Sequence, residues 1–124
     1  MKILLAEDGK VNQMVAVNLL QELGHEVTVA VNGREAIEHF DAGAFEAILM
    51  DVEMPEMDGI EATAAIREME KANDSHIPII AMTANTMEGD RERFLEASMD
   101  DYVPKPLSGE ALSSVLDRVT PGEG

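Results

Sequence analysis

Cysteine is absent from the 124-residue sequence, and aromatic residues make up only 3% of it. The absence of cysteine excludes disulfide bonds and thiolate metal sites. Because aromatic side chains are few, aliphatic side chains must build the core. No apolar run approaches the roughly 18 residues that cross a membrane, and the N-terminus has no signal-peptide pattern. We therefore expect a soluble, cytoplasmic protein that makes no membrane contact.

Basic residues are also scarce. The sequence has 9 lysines and arginines against 25 aspartates and glutamates, which gives a formal net charge of −16. This charge would repel a phosphate backbone, so we expect no direct nucleic-acid binding. Most of the carboxylates are expected to form a solvated acidic surface, and those with a function must be identified from their positions.

Short apolar runs alternate with helical patterns along the chain. Residues 3–6, 47–50 and 79–82 are continuous apolar runs, which are typical of strands buried on both faces. Residues 27–31 alternate in the way expected of an edge strand, and residues 102–103 predict a fifth strand. The chain has the length of one domain, without a repeat or a linker.

Five helices are predicted from apolar residues that recur at three- and four-residue spacing. Each helix is bounded by a residue type that favours a helix end, such as Asn32, which forms a cap pair with Glu35. The other boundary residues are Gly24 after the first helix, Asn85 with Glu88 before the fourth and Ser108 before the fifth, and the third helix covers about residues 60–72.

The strict alternation of strands and helices predicts right-handed βαβ units, hence a parallel sheet with helices on both faces. Five strands favour the flavodoxin-like order 2-1-3-4-5, which places residues 27–31 at an edge. We therefore expect an α/β, flavodoxin-like fold with five helices over residues 1–119, followed by a flexible tail at residues 120–124.

Polar residues follow the predicted strands. Glu7 and Asp8 come after the first strand, Asp51 ends the third, Thr83 ends the fourth and Lys105 follows the fifth. Parallel strands bring their carboxyl ends to one edge, and ligands bind there where the strand order reverses, between strands one and three. Each residue alone could be a cap, turn or surface residue. Their convergence at one edge indicates a ligand-binding site.

A cation is expected at this edge because its carboxylates would repel one another. Two unit charges about 4 Å apart repel by about 4 kcal/mol at an effective dielectric constant of about 20. Oxygen ligands without cysteine or a histidine nearby in sequence favour Mg²⁺ or Mn²⁺ over Zn²⁺. An aspartate beside such a cation suits a nucleophile for phosphoryl transfer, and Thr83 and Lys105 can stabilise the transferred charge. The pattern predicts an aspartyl phosphate at Asp51.

Four segments resemble, in order and spacing, the signatures of response-regulator receiver domains. The segments are residues 3–8 (ILLAED), 51–59 (DVEMPEMDG), 82–85 (MTAN) and 102–106 (YVPKP). The resemblance covers about residues 2–119. The stretch VNQ at residues 11–13, the loop at residues 54–59 and TAN at residues 83–85 are most similar to receivers attached to hybrid sensor kinases. The resemblance implies a signalling module rather than a conventional enzyme.

The resemblance implies a role for each residue of the site. Asp51 would accept a phosphoryl group from the phosphohistidine of a sensor histidine kinase or a histidine phosphotransfer domain. Asp8 would bind Mg²⁺ directly, Glu7 would hold it mainly through water, and the main-chain carbonyl of Glu53 would supply another ligand. The domain would catalyse only its own phosphorylation and dephosphorylation.

The resemblance also implies a conformational switch. Thr83 and Lys105 would bind the phosphoryl oxygens, and Tyr102 would swing inward as Thr83 moves toward the phosphate. The family usually has a cis peptide bond between Lys105 and Pro106. The sequence departs from related hybrid-type receivers at Gly9, where they often carry asparagine.

An apolar surface is expected beside the site. Val11, Met14 and Val15 lie off the main core stripe of the first helix, and Pro106 and Leu107 border the same edge. These residues could receive a partner helix that carries the donor histidine, or they could pack under a neighbouring loop. A weak homodimer is compatible with this surface.

Three alternative functions are compatible with part of the same sequence pattern. A haloacid dehalogenase-type phosphatase also uses an aspartate nucleophile with Mg²⁺, but it needs an aspartate where Glu53 stands. A receiver-like interaction module that is never phosphorylated would not need the complete set of site residues. A small flavin or nucleotide binder would need a glycine-rich loop after the first strand. The cognate kinase, the signal and the output partner stay open, as does whether the chain acts alone or within a hybrid kinase.

Overall fold

Strands and helices alternate in the computed structural model, which describes residues 2–42, 45–52, 59–73, 76–83, 92, 95–96, 98–104 and 107–119. The elements within this part of the chain are β1 (Lys2–Ala6), α1 (Lys10–Glu22), β2 (Glu26–Ala30), α2 (Gly33–Ala42), β3 (Ala47–Asp51), α3 (Gly59–Asn73), β4 (Ile79–Thr83), β5 (Asp101–Pro104) and α4 (Gly109–Val119). Most of the helix predicted after Asn85 lies outside the described residues, as do Glu53, Lys105, Pro106 and residues 120–124. No helix in the described ranges is both long and apolar enough to cross a membrane.

The five strands form one parallel sheet in the order β2-β1-β3-β4-β5, which confirms the predicted flavodoxin-like topology. β3 and β4 are buried along their whole length, as their continuous apolar sequences predict. β2 lies at an edge, where Val27 and Val29 are only half-buried. The order makes β1 and β3 neighbours, with Ala6 opposite Met50. The last residues of these two strands therefore lie side by side.

Two apolar layers cover the two faces of the sheet. Successive residues of β1 point to opposite layers, Leu4 with Ala6 on one face and Ile3 with Leu5 on the other. One layer packs against α2 and α3 and the other against α1 and α4. A fully buried Leu or Ile contributes about 1.5–3 kcal/mol, so these layers hold the strands in register.

The helix ends predicted at Asn32, Gly24 and Ser108 are confirmed, whereas the cap pair of Asn85 and Glu88 lies outside the described residues. The Glu35 N–H donates to Asn32 Oδ1 at 2.8 Å, and the Glu35 carboxylate accepts from the Val31 N–H at 3.0 Å. Gly24 follows α1 with a φ of +92°, a conformation that glycine adopts without strain. Ser108 Oγ accepts from the Ala111 N–H at 3.2 Å at the start of α4.

Arg67 on α3 connects the loops that precede β4 and β5. Its guanidinium donates to the Glu70 carboxylate at 2.7 Å and to Asp100 Oδ2 at 2.8 Å. It also donates to the main-chain oxygens of Ile77 and Ser98 at 2.8 and 3.0 Å. Glu70 is only 2% exposed and also accepts from the Ile77 N–H. This network holds the edge of the sheet opposite to Asp51.

Replacing Arg67 with methionine is expected to lower the free energy of unfolding by about 3 kcal/mol, because the buried Glu70 carboxylate loses its cation. Lys71→Met on the same helix is the matched control. It removes an ion pair with Glu68 whose side chains are 73% and 72% exposed, and should cost less than about 1 kcal/mol. Urea unfolding followed by circular dichroism measures both values. Equal losses in the two variants would contradict the structural role of Arg67.

Candidate functional site

Three carboxylates meet at the carboxyl edge of the sheet. Glu7 and Asp8 follow β1 directly, and Asp51 is the last residue of the neighbouring strand β3. Each offers an oxygen atom, and these oxygens all lie within 4.8 Å of one another. The structure therefore brings Asp51 together with two side chains more than 40 residues before it in the sequence, at the edge where the topology predicts a ligand site.

The donor set of this cluster fits a hard divalent cation. Glu7 and Asp51 are each 2% exposed, whereas Asp8 is exposed. Two unit charges about 5 Å apart repel by about 3 kcal/mol at an effective dielectric constant of about 20, and a cation between them removes this cost. Carboxylate oxygens are ligands that Mg²⁺ prefers, and the exposed side of the cluster suits a cation that keeps several waters. The three residues therefore fit Mg²⁺.

Hydrogen bonds of Glu7 connect the loop that carries Glu7 and Asp8 to β2, to α1 and to Gly9. The Glu7 N–H donates to the Ala30 oxygen at 3.0 Å, at the end of β2. The Glu7 oxygen accepts from Gln13 Nε2 at 2.6 Å. One oxygen of the Glu7 carboxylate accepts from the Gly9 N–H at 3.0 Å. The sequence analysis named Gln13 only as part of the VNQ stretch. Its hydrogen bond to Glu7 was not predictable, because it depends on how the loop between β1 and α1 is folded.

The start of α3 packs tightly against the main chain of Asp51. A methyl group at Gly59 would overlap the Asp51 main-chain oxygen and would come within 2.9 Å of the Val52 Cα. The Gly59 N–H donates weakly to the Val52 oxygen at 3.4 Å, and the buried Thr63 hydroxyl donates to the Gly59 oxygen at 2.7 Å. The sequence predicted only a turn here, whereas the structure shows that this close approach requires glycine.

The remaining predicted site residues lie on β4, on β5 or outside the described residues. Thr83 ends β4 and is 4% exposed, one residue beyond Met82, the partner of Asp51 in the strand register. Tyr102 on β5 is half-buried and packs against the core layer beneath α2 and α3. Glu53 and Lys105 lie outside the described residues, so their roles stay predictions.

Two of the three histidines, His25 and His76, lie before strands of the sheet and therefore away from the acidic cluster at its carboxyl edge. Burial lowers the pKa of His25, which lies between α1 and β2 at the amino edge of the sheet. The exposed His76 contacts Asp100 at 2.7 Å near the Arg67 network. These positions agree with a cation site formed by oxygen ligands.

Comparison with known proteins identifies the family. Residues 3–117 match the family model of the response regulator receiver domain. Hybrid signal transduction histidine kinase I of Dictyostelium discoideum is 43% identical over 121 residues, which covers 94% of this chain and 7% of that kinase. The chain therefore spans less than a tenth of the length of this relative.

Solved structures agree with the family match. The receiver domain of the sensor histidine kinase PA1611 from Pseudomonas aeruginosa, with a magnesium ion coordinated in the active-site cleft, is 42% identical. Its TM-score is 0.85, with 96% of each chain covered. A chain from the co-crystal structure of the Saccharomyces cerevisiae histidine phosphotransfer signaling protein Ypd1 and the receiver domain of its downstream response regulator Ssk1 is 30% identical. Its TM-score is 0.90, covering 97% of this chain and 88% of that one. With this sheet order and acidic edge, the chain belongs to the response regulator receiver domain family.

Proposed function

We propose that this receiver domain accepts a phosphoryl group on Asp51 from the phosphohistidine of a sensor histidine kinase or a histidine phosphotransfer protein. The observation that supports this most directly is the convergence of Glu7, Asp8 and Asp51, whose ligand oxygens lie within 4.8 Å of one another. The proposed receiver covers residues 1–119, with residues 120–124 as a flexible tail.

In the proposed transfer, a carboxylate oxygen of Asp51 attacks the phosphorus atom in line with its bond to the donor histidine. The new P–O bond forms while the P–N bond breaks, and the electron pair of the broken bond stays on the imidazole nitrogen. Asp51 is well held for this role, because the next residue, Val52, donates from its N–H to the Met82 oxygen at 3.3 Å. Rigid placement of a nucleophile favours such a transfer.

Glu7, Asp8 and Asp51 would hold Mg²⁺, with Mn²⁺ as a substitute, and the main-chain oxygen of Glu53 would add a ligand. The related Pseudomonas aeruginosa domain has magnesium in its active-site cleft. When bound, the cation supplies positive charge that neutralises the phosphoryl oxygens. In this proposal Asp8 contacts the cation directly and Glu7 acts mainly through water.

Thr83 and Lys105 would bind the transferred group. The Thr83 hydroxyl lies at the end of the strand next to Asp51, and it would donate to a phosphoryl oxygen. Lys105 would supply a positive charge. Movement of Thr83 toward the phosphate would draw Tyr102 inward and shift the domain between two conformations. Each phosphorylation is one transfer per molecule, so the domain acts as a signalling module.

An exposed apolar surface on α1, formed by Val11, Met14 and Val15 and called the α1 patch below, suits the donor protein. These side chains are 74%, 65% and 41% exposed. Exposed apolar clusters mark protein interaction sites, and a receiver similar to this chain co-crystallises with a histidine phosphotransfer protein. We therefore propose such a protein as the partner. An open surface groove that includes Met14 of the patch is lined further by Gln13, Val17, Asn18 and Val29.

Asp51→Asn is expected to abolish phosphorylation, because an amide cannot act as the nucleophile. The parent protein with Mg²⁺ and acetyl phosphate should gain the mass of one phosphoryl group in intact-protein mass spectrometry. Asp117→Asn, the same change at an exposed position on α4, is the control and should be labelled like the parent. Labelling that persists in Asp51→Asn would place the acceptor elsewhere, and a parent that takes up no phosphoryl group would favour a pure interaction module.

Asp8→Asn is expected to weaken Mg²⁺ binding by roughly tenfold or more, because the cluster loses one of its charged ligands. Isothermal titration calorimetry with MgCl₂ measures the dissociation constant of the parent and the variant. Glu22→Gln, at the exposed end of α1, removes one negative charge away from the cluster and serves as the control. Equal affinities in Asp8→Asn and Glu22→Gln would mean that only the net charge matters.

Met14→Asp is expected to slow transfer from a phosphohistidine donor more than labelling by acetyl phosphate, because only the protein donor needs the α1 patch. The expected difference is roughly tenfold, with a phosphorylated histidine phosphotransfer protein that labels the parent as the donor. Leu23→Asp, just beyond the other end of α1 at 38% exposure, is the control. If both variants lose transfer equally, the patch is not the docking surface.

A weak homodimer and the lack of nucleic-acid binding stay predictions of the sequence.

A further inference from the structure

The side chain of Gln13 on α1 holds the loop between β1 and α1. Its side-chain Nε2 donates to the main-chain oxygen of Glu7 at 2.6 Å. Its main-chain N–H donates to the main-chain oxygen of Gly9 at 2.9 Å, which is the ordinary first hydrogen bond of the helix to its N-cap residue. These two carbonyl groups flank Asp8 in the sequence. The helix itself therefore holds the loop after Asp8, the exposed carboxylate of the acidic cluster, and the Gln13 side chain adds a restraint before it.

The cap of α1 does not provide this restraint. Gly9 is the N-cap residue and makes no side-chain hydrogen bond to the helix, and the first turn carries no acidic residue. Glycine also leaves the backbone more conformational freedom than any other residue. The Gln13 side chain instead donates to the main-chain oxygen of Glu7, which lies before the cap residue, so it restrains a part of the loop that an ordinary cap side chain would not contact.

A restrained loop favours cation binding. Gathering carboxylates around a cation costs conformational entropy, and a loop that is already ordered loses less of it. Contacts that orient a metal ligand without touching the metal typically change metal affinity roughly ten- to hundredfold. The bond from Gln13 to the Glu7 oxygen has this character, because it fixes the backbone from which the Glu7 and Asp8 side chains extend.

We propose that Gln13 is a positioning residue for the cation site formed by Glu7, Asp8 and Asp51. This inference rests on the proposed function, because it takes the three carboxylates as the Mg²⁺ site. Gln13 acts through the Glu7 carbonyl and not by contact with the cation or the phosphoryl group. It belongs to the machinery of this site as a support of the loop.

Gln13→Met tests this proposal, because methionine has a similar length and apolar bulk but no donor. Gln21→Met, the same change at an exposed position of α1, is the matched control. Calorimetric titration with MgCl₂ should show roughly tenfold weaker binding in Gln13→Met than in Gln21→Met. In the protein without Mg²⁺, NMR should show faster amide hydrogen exchange at Asp8 and Gly9 in Gln13→Met only.

Gln13→Asn provides a second variant with a polar side chain that is one methylene shorter. It should weaken Mg²⁺ binding as Gln13→Met does, because its amide does not reach the Glu7 oxygen. Urea unfolding in EDTA measures the stability of each variant without Mg²⁺. If a Gln13 variant is as stable as Gln21→Met but binds Mg²⁺ more weakly, the result supports a positioning role. Parental Mg²⁺ affinity in both Gln13 variants would overturn the proposal and leave the proposed function intact. A parent protein that binds no Mg²⁺ would instead overturn the proposed site itself.

Discussion

Repulsion among three carboxylates at one edge of a parallel sheet is the constraint on which this receiver domain depends. The order β2-β1-β3-β4-β5 makes β1 and β3 neighbours, and their shared direction brings Glu7, Asp8 and Asp51 together. The fold could avoid this cost by placing neutral residues at the edge. In the proposed function, a cation offsets the repulsion among these acids and couples the site to phosphoryl chemistry.

The amino edge of the sheet carries a stabilising ion-pair network, and the carboxyl edge carries the candidate functional site. At the amino edge, Arg67 joins Glu70 and Asp100 in a network that ties α3 to the loops before β4 and β5. The charges there are paired with one another inside the protein. At the carboxyl edge the acidic cluster has an exposed side at Asp8. The ion pairs of the amino edge are thus complete within the protein, whereas the proposed function adds a cation at the carboxyl edge.

The sequence predicted what depends on local pattern. The apolar run before Asp51 predicted a buried strand, and topology then placed that residue beside the first strand. Close approaches between elements were not predictable. Helical spacing shows which residues share a face, but not that Gln13 turns back to the Glu7 carbonyl. A turn pattern at Gly59 likewise does not reveal how near α3 comes to the main chain of Asp51, because that distance depends on packing between distant segments.

The central claim is that the carboxylates at this edge bind a cation beside a phosphorylated Asp51. A crystal structure of the protein with Mg²⁺ and beryllium fluoride, a mimic of the phosphoryl group, tests it most directly. The account predicts one Mg²⁺ ion contacting carboxylate oxygens of Asp8 and Asp51, with the fluoride adduct on an Asp51 oxygen. Electron density for the adduct on another residue, or an acidic cluster that holds no cation in saturating Mg²⁺, would contradict it.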